Sequence, residues 1–257
     1  MAQNSKIEWT DHTLNLWWGC SKVHCGCDNC YAETWSNRFG VNLWGNNTPR
    51  KVIKSAFRNL SKWQKQASKN NVIEKVFVGS MMDIFEKPMP LIDSKGNHLQ
   101  GITTNDLRLQ LFENISDAQY PNLFFQMLTK RPSNINKYIP DEWKVNPPQN
   151  VMFGTSPVNQ ETFDNLIRHL NKVNGKKFLS IEPQLDKIVI HSTTDIDWII
   201  QGGESGIRKR PFSLEWGNIL REDCKFKGIP YFFKQIDKIQ PIPSDMLIRE
   251  FPPFLIT

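Results

Sequence analysis

Short apolar runs, each cut off by polar residues, recur along the chain at 14–18, 76–79, 123–127, 151–154, 177–180, 198–201 and 231–234. They are rich in β-branched and aromatic residues and nearly apolar throughout rather than alternating, as strands buried on both faces must be. Between them the apolar spacing lengthens to helical periods, predicting helices over 31–39, 53–68, 104–117, 132–138, 160–173 and 213–224. Strand followed by helix predicts parallel neighbours, and so an α/β fold: a partial or irregular (β/α) barrel of parallel strands with outer helices. In the helix over 53–68, Ile53, Phe57, Leu60 and Gln64 form the core stripe. Lys54, Arg58, Lys62, Lys65 and Lys69 fall mostly elsewhere, on a face read as solvated, with phosphate tracking as the alternative.

Two stretches break the pattern. Between Glu182 and Asp195 there is too little chain for a crossover helix, so Lys187-Ile-Val-Ile190 is expected to add a short strand. Around 91–102 the run Asp-Ser-Lys-Gly-Asn-His reads as a turn within an insertion. The Pro-rich stretch 236–257 is expected to pack across the barrel as a cap, and with no repeat or linker in view, 1–257 reads as one domain.

Composition narrows the class. A chain of 257 residues is long enough for one barrel, which takes roughly 250. No apolar run approaches the roughly 18 residues of a membrane span, and Met1-Ala-Gln-Asn-Ser lacks the apolar core of a secretion signal, so a soluble, cytoplasmic protein is expected. The net charge of +6 favours a polyanionic partner without naming a reaction.

Four of the five cysteines fall within eleven positions, Cys20-Ser-Lys-Val-His-Cys25-Gly-Cys27-Asp-Asn-Cys30, followed by Tyr31. Thiolates this close can converge on one inorganic centre, and the residues alone leave zinc and an iron-sulfur cluster both open. Cys224, in a helical pattern, reads as a core thiol. His24, inside the loop, is read as an exposed residue, with ligand and proton donor as the alternatives. Five scattered histidines do not supply the ligand set of a metal hydrolase.

In a parallel barrel the carboxyl ends of the strands open onto one face, and residues there read as functional. They are polar here: Cys20, then Ser80 and Asp83, Lys130 and Arg131, Thr155 and Ser156, Glu182, Gly202-Gly203-Glu204, and Lys234-Gln235. The cysteine loop thus falls at the barrel mouth.

The loop resembles that of the radical S-adenosylmethionine (SAM) superfamily, and the whole chain resembles a phage-associated three-cysteine-motif family with the spacing Cys-x6-Cys-x2-Cys-Tyr. The matching segments run in order: Ile7-Glu-Trp-Thr-Asp11, Gly19-Cys20, Gly26-Cys27-Asp-Asn-Cys30-Tyr31-Ala-Glu33, Gly79-Ser-Met-Met-Asp83 and Leu128-Thr-Lys-Arg-Pro132. Gly154-Thr-Ser156, Ser180-Ile-Glu-Pro183, Gly202-Gly-Glu-Ser-Gly206 and Phe232-Phe-Lys-Gln235 complete them. The resemblance implies a radical SAM fold with loop 19–31 holding a 4Fe-4S cluster through Cys20, Cys27 and Cys30, leaving one iron open to SAM. An electron then cleaves SAM to methionine and a 5'-deoxyadenosyl radical, which abstracts a substrate hydrogen. It also implies an electron donor such as flavodoxin or ferredoxin, and a bacterial or phage-infected host cytoplasm. Cys25 departs from the pattern, as a spectator or a competing ligand.

The SAM contacts are assigned to Tyr31 beside the adenine, to Ser80 and Asp83 as acceptors for its amino group, and to Thr155, Ser156, Glu182, Gly203 and Glu204; Gly202-Gly203-Glu204 is similar to the superfamily segment that meets that amino group but follows the sixth strand here rather than the second. Asp83 capping the next element, and buried structural roles for the two glutamates, are the alternatives. Gln126, Lys130, Arg131, Arg210 and Lys234 are assigned to the substrate or the SAM carboxylate, with a surface ion pair as the alternative for Lys130 and Arg131. These cations suggest a nucleotide, DNA or RNA substrate. The rival reading is a non-catalytic zinc protein that binds nucleic acid through its basic surface.

Overall fold

The apolar runs form one parallel sheet in the computed structural model, which describes residues 2–3, 5–191 and 194–256. The strands are β1 (His12–Leu14), β2 (Glu74–Val78), β3 (Leu123–Thr129), β4 (Val151–Thr155), β5 (Lys176–Ile181), β6 (Trp198–Gly202) and β7 (Tyr231–Gln235). They lie side by side in chain order, each pair parallel, and the sheet curls into a half-barrel with Ala2–Gln3 antiparallel on its first edge. Helices α1 (Tyr31–Arg38), α2 (Ala56–Asn70), α3 (Thr104–Ser116), α4 (Ile135–Tyr138), α5 (Asp141–Val145), α6 (Gln160–Leu170) and α7 (Leu214–Lys227) fill the connections. The architecture is mixed α/β, a partial barrel.

Strand register divides the apolar residues into two clusters, one on each face. Phe77 pairs with Gln126, Gln126 with Met152, Gly154 with Phe178, Phe178 with Trp198, and Ile200 with Phe232, so these share the inner face. Their alternates Val76, Phe125, Met127, Phe153, Leu179, Ile199 and Phe233 pack outward with the helices, for example against Leu60 and Trp63 of α2 and Leu220 of α7. Both faces are apolar, which is why the strands read as continuous runs. Each fully buried aliphatic or aromatic side chain here contributes roughly 1.5–3 kcal/mol.

Inside the half-barrel, Trp9 crosses from the N-terminal segment and stands 4.6 Å from Phe77 and 6.3 Å from Trp198, ring to ring. At the opposite, amino-terminal end of the strands, Phe251 packs on Trp198 at 5.2 Å and Phe254 on Phe124 at 5.8 Å. The indole of Trp198 donates to the Glu250 carbonyl. The lower part of the lumen is therefore filled with rings, and among the described residues its open space lies toward the carboxyl ends.

Four expectations change. The first strand ends at Leu14, and Trp17–Trp18 leaves the main sheet to pair antiparallel with Arg50–Val52. Those segments, with Pro90–Ile92 and His98–Thr103, make a separate four-stranded sheet that pattern reading reduced to one turn. Because Arg50–Val52 is a strand, α2 begins at Ala56 rather than 53. Lys187-Ile-Val-Ile190 forms no strand: Val189 N–H donates to Gln160 and Ile190 N–H to Asp223, side-chain acceptors that replace a ladder, while Ile188 and Ile190 are buried outside the sheet.

Candidate functional site

Gly19 sets up the cysteine loop. Its φ is +121° and an added Cβ would lie 2.5 Å from the Leu43 carbonyl oxygen, so only glycine brings the chain this close before Cys20. The loop then turns through a short 3₁₀ segment, Cys25–Cys27, whose first free amide, at Gly26, donates to His24 Nδ1 at 3.1 Å. Burial and the charges of Lys130 and Arg131 push the His24 pKa down to about 4, so at neutral pH the ring is uncharged and Nδ1 is free to accept. His24 is half-buried and caps the turn, a correction to its reading as an exposed residue.

A cavity of about 460 Å³ opens at the carboxyl ends of the strands, and Cys20, Cys27 and Cys30 all line it as free thiols. Cys25 is exposed and is not part of that wall. Burial, then the charge of Asp83, drive the Cys20 thiol up to about 12 against the opposing pull of Arg131. Burial likewise raises Cys30. Among the described residues, no group of three or more His, Cys, Asp or Glu side chains is disposed to hold a single metal ion.

Two ion pairs fix the loop from opposite sides. Behind Cys20, Arg131 donates to Asp83 at 2.7 Å and to the Ser21 carbonyl at 2.8 Å, and its guanidinium is 3.8 Å from the Cys20 sulfur. Asp83 also accepts from Thr129 Oγ1 and from the amides of Phe85 and Lys130, so its oxygens are fully engaged. Across the mouth, Glu204 accepts from Arg210 at 2.6 Å and from Asn29, between Cys27 and Cys30, at 2.9 Å. Arg210 reaches on to the Cys25 carbonyl at 3.0 Å. Burial pushes the Glu204 carboxyl up, but the hydrogen bonds from Arg210 and Asn29 outweigh it and hold it below its ordinary value.

Of the other residues singled out from the sequence, Tyr31, Ser80, Ser156, Glu182, Lys130 and Lys234 line the cavity. Tyr31 donates to the Ser80 carbonyl, and Lys234 pairs with Glu182 at 2.6 Å across β5 and β7. Thr155 is fully buried on the outward face of β4, donating to the Thr129 carbonyl. Gly203 is a packing position, since a Cβ there would stand 2.0 Å from the Ile236 carbonyl oxygen. Gln126 is buried beneath Trp9, donating to its carbonyl, outside the cavity wall. Arg210 also lies off the wall and serves Glu204.

Sequence reading missed Trp9 and Trp44 as parts of the wall, and Asn29 as the loop's tie to Glu204. The only sign of Trp9 was its place in the Ile7-to-Asp11 motif. Trp44 pairs with Cys20 through an isolated bridge, a contact with no local signature.

No curated protein and no solved structure is significantly similar to the chain. Residues 4–245 match the model of the family described as "Protein of unknown function (DUF5131)", and the chain belongs to that family.

Proposed function

We propose that the protein is a radical SAM enzyme in which Cys20, Cys27 and Cys30 hold a 4Fe-4S cluster at the barrel mouth. The observation that carries this reading is the sorting of the thiols: the three at the motif spacing face one cavity, and the fourth faces solvent. Three free thiols on one cavity wall are the donor type such a group takes, and because burial keeps Cys20 protonated, ligation there would release a proton. Arg131, beside Cys20, supplies a positive charge and N–H donors toward the sulfur, the kind of outer contact that tunes a thiolate-bound centre.

A cluster held by Cys20, Cys27 and Cys30, once reduced by an external one-electron donor, would supply the electron for reductive cleavage of a C–S bond of SAM and so a carbon radical. The chain's residues do the rest. Arg131 and Asp83 hold the first cysteine, and Glu204 and Arg210 hold the other two in place through Asn29 and the Cys25 carbonyl. The aromatic floor around Trp9 and Phe77 keeps water out from below. Ser156 is buried with an unpartnered hydroxyl, and the Lys234–Glu182 pair adds polar groups on the same wall for orienting a polar co-substrate. Asp83 is fully engaged, so it acts by positioning Arg131 rather than by meeting an amino group.

Iron and sulfide analysis of anaerobically purified protein tests the proposal. About four of each per chain are expected, lost in Cys20→Ala, Cys27→Ala and Cys30→Ala and kept in Cys25→Ala. One zinc per chain, dependent on Cys25, contradicts it.

A further inference from the structure

Helix α1 and its C-cap residue, Phe39, carry an aromatic stripe that the fold leaves exposed. Tyr31, Trp35 and Phe39 stand four residues apart, hence on one face, and are 51%, 53% and 62% exposed. The stripe is braced. Phe39 meets Trp35 at 5.3 Å and Trp18 at 6.2 Å, each edge-on, and Tyr31 is tied to Ser80 through its hydroxyl. Tyr31, Trp35 and Trp44 line the cavity, so this surface runs from solvent into the chamber.

The charge around it is one-sided. The carboxylates on the cavity wall, Asp83, Glu182 and Glu204, are each already paired, with Arg131, Lys234 and Arg210. Lys130 and Lys238, on the same wall, have no ion pair among the described residues. Neither does Arg38, exposed at the end of α1 next to Phe39. Held rings that share a cavity wall with unpaired cations suit a ligand that presents an unstacked π face and a phosphate together. An apolar peptide would not use the cations, and a duplex would not offer its base faces.

We infer that α1 is a docking platform for single-stranded nucleic acid, with a base stacked on Trp35 and neighbouring phosphates taken by Lys130, Lys238 and Arg38. The inference rests on the reading of the cavity as the reaction chamber, and it names the class of substrate. Stacking on one aromatic residue typically changes affinity about tenfold, and phosphate contacts make the logarithm of the affinity fall linearly with log salt.

The test is fluorescence anisotropy of labelled RNA and DNA strands of about a dozen nucleotides, single and duplexed, on the full-length protein, with iron measured on the same samples. Expected are binding to single strands over duplex, roughly tenfold weaker binding in Trp35→Ala with rescue in Trp35→Phe, and no change in Phe226→Ala, an exposed aromatic on α7. Thermal melts check that each variant is folded. Absence of strand binding at low salt, equal binding by Trp35→Ala, or a Trp35-dependent change in oligomeric state with strand binding intact would each overturn the inference. Iron-free protein that still binds strands through Trp35 supports the platform while contradicting the cluster; iron-bearing protein indifferent to strands does the reverse.

Discussion

Asp83 accepts four hydrogen bonds behind the cysteine loop, and the guanidinium it holds is the one beside Cys20. Both partners are largely buried, Arg131 at 12% side-chain exposure and Asp83 at 6%. Removing one partner strands the other's charge, so Arg131→Met is expected to lower stability by about 3–5 kcal/mol in urea unfolding. Asp83→Asn combined with Arg131→Met is expected to cost less than the sum of the two, since the stranded charge is then gone. Equal and additive losses would show that the pair is not coupled. The sequence put cations and a carboxylate at these strand ends correctly, but it had no means of showing that they satisfy each other. Pairing between positions 83 and 131 depends on β2 and β3 lying side by side, which is tertiary information.

The cysteine loop contributes no buried strand or helix beyond its short turn, and it is anchored through side chains from far along the chain. Glu204, after β6, reaches Asn29 and, through Arg210, Cys25. Glu204→Gln is expected to loosen the loop, read as faster amide exchange across 25–30 with little change in the strands. Glu204 also gives the clamp a pH dependence. Its folded pKa lies below its ordinary value of 4.5, so its stabilisation is present above that value and is lost as pH falls through the lower folded one. Protection of the loop amides, relative to their intrinsic exchange, is therefore expected to fall in the wild type as pH drops below 4.5, and to fall less in Glu204→Gln, where only the His24 cap still titrates. The loop was legible because its cysteine spacing is local. Its anchor was not, because residues 29 and 204 meet only once the sheet has formed; sequence alone leaves Glu204 between a co-substrate contact and a buried structural carboxylate.

The half-barrel is closed at one end and open at the other, and that asymmetry makes a chamber. Phe251, Phe254 and Leu255 seal the amino-terminal end around Trp198 and Phe124, while the carboxyl end keeps its cavity. Leu255 is 6% exposed, and Leu255→Ala is expected to cost about 2–3 kcal/mol with the cavity intact at the other end. The seven main strands were readable because both faces are apolar, giving runs that need no alternation to detect. The second sheet was not: three of its four strands span only two or three residues, and the fourth, His98–Thr103, is largely exposed and polar rather than an apolar run.

What the three cysteines on the cavity wall do decides whether the protein is a radical SAM enzyme. The direct measurement is anaerobic incubation of iron-loaded protein with SAM and a strong reductant, followed by chromatography for 5'-deoxyadenosine. 5'-Deoxyadenosine and methionine are expected in the wild type and in Cys25→Ala, and neither in Cys27→Ala. Intact SAM in the presence of a fully formed, reduced cluster would contradict the radical SAM reading.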